Sequence, residues 1–154
     1  HFLLIIVILL IIVLSVYRIS RTLLKLWKEV TIKEIIFHRL LSETIKLYYS
    51  KKDILKTEDS RMAFIHLGRT RRKKIRYLLL QERQDLFQHI QDLFADIEEK
   101  DIEELIPLKK QYKDLQKARR IYNSKVLLYN QRINVWPTKS LALRMNLKIK
   151  EYFG

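Results

Sequence analysis

The chain opens on an unbroken apolar stretch. From Phe2 to Tyr17 sixteen residues carry no charge, Ser15 is the one clearly polar side chain, and Arg18 closes the run. Crossing the hydrocarbon of a bilayer takes about 20 residues, with a range of about 17–25. The chain starts at His1 rather than Met, so further residues upstream are expected. A secretory signal would carry its charges before the apolar core and a small-residue cleavage site after it. Here the charges follow the run, and the next residues are Arg18, Ile19, Ser20 and Arg21. The pattern predicts a retained transmembrane anchor over residues 1–17, in preference to a cleaved signal or a buried core helix. Arg18, Arg21, Lys25 and Lys28 all precede Glu29, the first acid. Positive residues beside a span tend to stay cytoplasmic. The expected orientation in the cell membrane is N-terminus out, with residues 18–154 inside.

Beyond the anchor, apolar positions recur at three-and-four spacing in three blocks, the mark of amphipathic helices. The first is Leu23, Trp27, Val30, Phe37, Leu41, Ile45 and Tyr48, and nothing separates it from the apolar run. Lys51–Ser60 reads as a connection, with Asp59 or Ser60 as a cap for the next helix. The second block is expected as one helix from Arg61 to about Ile97, with a stripe of Ile75, Leu79, Leu86, Ile90, Leu93 and Ile97 flanked by Phe87 and Phe94. Gly68 weakens it, by about 1 kcal/mol relative to Ala. Glu98–Glu104 is a polar join, and Pro107 fits a helix's first turn, where its missing N–H costs nothing. The third block holds a heptad-like stripe of Leu108, Tyr112, Leu115, Tyr122, Val126, Tyr129, Ile133 and Trp136, interrupted by Arg119 and ended by Pro137. The tail, Thr138–Gly154, is expected as one more small docked helix. The fold class is therefore all-α: an N-terminal transmembrane helix, residues 1–17, followed by an elongated, coiled-coil-like antiparallel helical bundle over residues 18–154.

Composition narrows this further. Two Gly and two Pro in 154 residues exclude a β-sandwich or barrel, whose turns recur every 8–12 residues. Gly68 and Gly154 are the only glycines, so no phosphate-cradling loop exists. The absence of Cys excludes disulfides, Cys-ligated zinc and a thiol nucleophile. His1, His38, His66 and His89 are scattered, with no HExxH, and no G-x-S-x-G surrounds a serine. The carboxylates of Asp92, Asp96, Glu98, Glu99, Asp101, Glu103 and Glu104 read as a solvated helix end, lacking EF-hand spacing. No catalytic residue, metal ligand or cofactor is expected, and the chain is read as non-enzymatic.

The C-terminal block carries a more specific pattern, ARRIYNSKVLLYNQRINVWPTKSLALRMNLKIKEYF, from Ala118 to Phe153. Its Ala118 and Arg119, the Tyr122–Asn123 and Tyr129–Asn130 pairs seven residues apart, Val126, Ile133, Pro137, Ala142 and the closing Tyr152–Phe153 resemble the C-terminal signature of the LemA family. The resemblance implies a bacterial envelope protein with an N-terminal anchor and a long antiparallel helical bundle, a family with no agreed biochemical activity. Ser42–Glu43 stand where that family has Pro-Asn, and Asn146–Leu147 where it has Gly-Phe, so the chain reads as a divergent member. From the residues themselves, Tyr122 and Tyr129 lie on the buried stripe, with hydroxyls in want of partners. Asn123 and Asn130 lie one position round, where an amide reaches a neighbouring helix. Their expected role is packing and register, with a ligand or partner surface as the alternative.

The total charge is +14, and Arg61, Arg69, Arg71, Arg72, Lys73, Lys74 and Arg76 form a run without an acid. It is read first as a solvated or partner-binding face. The alternatives are nucleic-acid phosphates or anionic lipid. The expected function is a membrane-anchored scaffold or adaptor whose partners are the lipid bilayer and other membrane or envelope proteins. A membrane-tethered module binding nucleic acid or anionic lipid through residues 61–76 is the rival. Oligomeric state stays open.

Overall fold

The computed structural model describes residues 1–153, all-α, with no strand among them. Its helices are α1 (Phe2–Ser50), α2 (Lys52–Leu55), α3 (Arg61–Thr70), α4 (Leu80–Ile97), α5 (Ile106–Ile133) and α6 (Thr138–Arg144). Helix α1 runs through Tyr17–Arg18 without interruption, as a stretch of 49 residues lacking Gly and Pro permits. Its hydroxyls fold back on the helix: Ser15, Thr31 and Thr44 donate to the carbonyls of Ile11, Trp27 and Leu40 at 2.8, 2.9 and 2.6 Å. Such bonds satisfy a polar group without breaking the helix.

The chain divides into two compact units. The first comprises residues 1–33 and 122–152. Its core joins Leu23 and Val30 of α1 to Tyr122, Val126, Tyr129 and Ile133 of α5, with Ala142 of α6. Trp27 meets Tyr129 at 5.8 Å between ring centroids, and Glu29 pairs with Lys125 at 3.6 Å, so α1 and α5 run antiparallel.

The second unit comprises residues 34–121 and Phe153. Phe37, Leu41, Ile45 and Tyr48 of α1 pack with Leu86, Ile90 and Leu93 of α4 and Leu108 and Leu115 of α5, all fully buried or nearly so. Each such side chain contributes roughly 1.5–3 kcal/mol. Tyr48 donates its hydroxyl to the Leu108 carbonyl at 3.0 Å, and burial raises its pKa above the usual phenol value. Gln111 donates to Thr44 at 3.2 Å, and the falling order of partners again makes the helices antiparallel. Phe153 sits edge-on to Phe37 at 4.6 Å and to Phe87 at 5.5 Å.

Four expectations need correction. The second block is not one helix: α3 stops at Thr70, a 3₁₀ turn occupies Ile75–Tyr77, and α4 begins at Leu80. The break moves the buried positions to Ile75 and Leu78, and Leu79, expected in the stripe, is 70% exposed. Ser60 precedes α3 but makes no side-chain cap; its hydroxyl instead accepts from the Thr57 N–H at 2.7 Å, closing the loop before the helix. Trp136 is not the last core position, because α5 ends at Ile133 and leaves the indole 79% exposed. The tail is helical only over Thr138–Arg144.

Beyond α6 the chain reverses at Asn146, whose φ of 57° is left-handed. The Leu147 N–H reaches the Ala142 carbonyl at 2.9 Å and the Asn146 N–H reaches Leu143 at 3.2 Å. This is a Schellman motif with asparagine in the position glycine usually fills. Residues 147–153 then continue without helix. Gly68 has a packing role: a Cβ there would lie 2.8 Å from Cε2 of Tyr49.

Candidate functional site

The Tyr-Asn pairs of α5 hold the extended tail. Tyr129 donates to the Lys148 carbonyl at 2.7 Å and Tyr122 to the Glu151 carbonyl at 2.9 Å. Asn130 donates to the Lys150 carbonyl at 2.8 Å and accepts from the Lys150 N–H at 2.9 Å. Burial pushes the Tyr129 phenol up from its ordinary value. Val126 and Ile133 fill the core beneath, and Asn123 is half-buried. In the second unit Arg119, the charge that interrupts the stripe, lies 5.2 Å over the Phe87 ring and reaches the Phe153 carbonyl at 3.4 Å. Phe153 is buried, Tyr152 is exposed, and the Trp136–Pro137 bond is cis. Tyr122, Tyr129 and Asn130 thus bond extended backbone of the tail rather than a neighbouring helix. No apolar alternation marks this strap, since Ile149 is 61% exposed and Lys150 is half-buried.

The apolar run presents a different surface. Every large apolar side chain from Phe2 to Leu14, with Val16 and Tyr17, is exposed, from 41% at Val16 to 78% at Phe2. This is the one helix among the described residues long and apolar enough to cross a membrane. Lys25 and Lys28 beyond it are exposed, as are Arg18 and Arg21; Arg21 donates to the Tyr17 hydroxyl at 2.9 Å. An apolar band of this extent on a helix surface needs a nonaqueous neighbour.

The basic residues gather on the α3–α4 connection. Arg69, Arg72, Lys73, Lys74 and Arg76 are exposed, and Arg71 is half-buried. Arg71 lies 4.3 Å over the Tyr49 ring, with its Nε buried and unbonded. Arg76 lies 4.8 Å over Tyr77 and donates to its hydroxyl at 3.0 Å. None of these cations forms an ion pair with a described residue. The break in helix thus exposes a cationic loop carrying Tyr77, itself 73% exposed.

His66 of α3 and His89 of α4, distant in sequence, meet with ring centroids 5.2 Å apart and planes at 85°. Burial, and then the neighbouring His66, hold the His89 imidazole below its ordinary pKa, against Asp92 and Asp85. No group of three or more His, Asp or Glu side chains is placed to hold a metal among the described residues. His38 receives a bond from Arg83 at 2.9 Å, which requires its Nε2 to be an acceptor.

Together these features define an all-α protein with one N-terminal helix segment able to span a membrane. No protein-family model, curated protein or solved structure matches the chain.

Proposed function

We propose that the chain is a single-pass membrane protein whose helical bundle faces the cytoplasm and serves as a non-catalytic scaffold for other membrane or envelope proteins, as a divergent LemA-like protein. The observation that carries this reading is Phe2–Tyr17, an exposed apolar segment continuous with a helix that packs a core. The basic flank of Arg18, Arg21, Lys25 and Lys28 supports the inward orientation. Exposed Ile32 and Leu127 of the first unit offer apolar side chains to partners. The LemA-like resemblance is supported at one of its departures, since Asn146 adopts the left-handed backbone that a glycine adopts. A crosslinking pull-down of the full chain from membranes tests the scaffold reading. Reproducible recovery of defined membrane proteins is expected, and recovery of the chain alone contradicts it. Protease added to intact spheroplasts should leave the bundle uncut; digestion would reverse the orientation.

One observation favours a second reading, the unpaired cations Arg69, Arg71, Arg72, Lys73, Lys74 and Arg76 beside the exposed Tyr77 ring. Phosphate contacts to nucleic acid, with base stacking on Tyr77, would use both features. A mobility-shift series should then show binding that falls steeply with salt, and no shift at low salt removes this reading.

A further inference from the structure

Within the first unit, α1 just past the apolar run and the turn after α5 enclose a groove. One part, about 500 Å³, is walled by Ile19, Leu26, Val135 and Trp136. A second, about 200 Å³, is lined by Arg18, Thr22, Arg132 and Thr138. The two share Ile19, Arg132 and Thr138, so one groove has an apolar wall and a cationic, hydroxyl-bearing end. No acidic side chain lines either part. Trp136 and Val135 stand 79% and 60% exposed in it.

The position of this groove along α1 identifies its occupant. Ile19 lies two residues beyond Tyr17, about 3 Å along the axis at 1.5 Å per residue. Headgroup layers add roughly 5–8 Å to each side of the hydrocarbon core. The end of the groove formed by Arg18, Ile19 and Thr22 is therefore at headgroup depth whenever Phe2–Tyr17 spans, and Leu26 lies beyond it. Tryptophan favours that depth, with its ring in the apolar boundary and its N–H toward the headgroups. Arginines suit a phosphodiester there, since each offers several N–H donors with a fixed positive charge. We infer that this groove binds an anionic phospholipid of the surrounding bilayer, its phosphate between Arg18 and Arg132 and its upper acyl chain along Ile19 and Trp136. The α5–α6 turn is thereby a second membrane contact, separate from the α3–α4 basic loop. This rests on the anchor reading proposed above.

The test uses the full chain with Trp27→Phe, which leaves Trp136 as the sole tryptophan. It is reconstituted into vesicles of phosphatidylcholine with a minor share of phosphatidylglycerol, a shallow acyl-chain nitroxide being carried by one lipid or the other. Trp136 should be quenched by both, with an association constant for the anionic lipid roughly tenfold or more above that for the zwitterionic one, as expected of two surface cations. Arg18→Gln with Arg132→Gln should bring that ratio to near one at unchanged helicity. If the double variant loses helicity, the comparison of the two labelled lipids in the Trp27→Phe chain decides alone. Equal quenching by both lipids in that chain overturns the inference. So does full quenching of Trp136 by aqueous iodide in vesicles, or release of the lipid by inorganic phosphate, which would mark a free-anion site. Vesicle flotation separates the two readings. A chain that floats with Trp136 open to iodide refutes the groove alone, and one that fails to float refutes the anchor and the groove together.

Discussion

Asn130 pairs with both halves of one backbone residue, donating to the Lys150 carbonyl at 2.8 Å and accepting from the Lys150 N–H at 2.9 Å. A single helix side chain thus supplies what a neighbouring strand would supply in a sheet, and it fixes residue 150 of an otherwise unladdered tail. Replacing Asn130 by Ala removes both bonds, each worth about 0.5–1.5 kcal/mol. Asn130→Asp keeps the acceptor but loses the donor, and should cost nearly as much above neutral pH. Thermal melts of the full chain in detergent measure the loss, and amide exchange at Lys150 should accelerate in both variants.

Tyr129 combines a fully buried ring with a hydroxyl on the Lys148 carbonyl. Tyr129→Ala should destabilise by about 3–5 kcal/mol, through lost burial and the cavity left. Tyr129→Phe should lose only about 1 kcal/mol, the worth of one hydrogen bond. Equal losses in the two variants would mean that the hydroxyl, not the packing, carries this residue's contribution.

At Asn146 the backbone decides the outcome. Its left-handed φ of 57° costs a side chain branched at Cβ about 1–2 kcal/mol, whereas glycine adopts it freely. Asn146→Val should lower the melting temperature, and Asn146→Gly should leave it unchanged or raise it. The opposite ranking would contradict the Schellman turn.

The His66–His89 contact predicts a pH dependence of stability. The folded state holds His89 below its ordinary value of 6.5, chiefly by burial and then by His66. Above that value the residue is neutral in both states and contributes nothing. As pH falls below it, the unfolded chain takes up a proton that the folded chain resists, so stability is lost. Denaturant midpoints followed downward from neutral pH should decline, and His89→Gln should flatten the decline. A stability that rises on acidification would contradict this assignment.

The legibility of the chain differs by element. Phe37, Leu41, Ile45 and Tyr48, and likewise Leu108, Leu115, Tyr122 and Tyr129, are buried where the 3.6-residue period puts them, because burial of one stripe is what the period encodes. Helix ends are less visible. Leu79 and Trp136 keep the period yet lie exposed, since α4 begins only at Leu80 and α5 ends at Ile133. The tail was least legible, as a strap held by side-chain bonds to its carbonyls needs no apolar stripe. The meeting of His66 and His89 depends on the α3–α4 reversal, which local sequence does not specify.

The central claim is that Phe2–Tyr17 anchors the chain in a bilayer. Carbonate extraction of membranes from cells expressing the full chain tests it most directly, because high pH strips proteins held by surface charge and leaves those embedded in hydrocarbon. The account predicts that the protein stays in the membrane pellet. Its release into the supernatant would contradict the anchor, whatever the bundle binds.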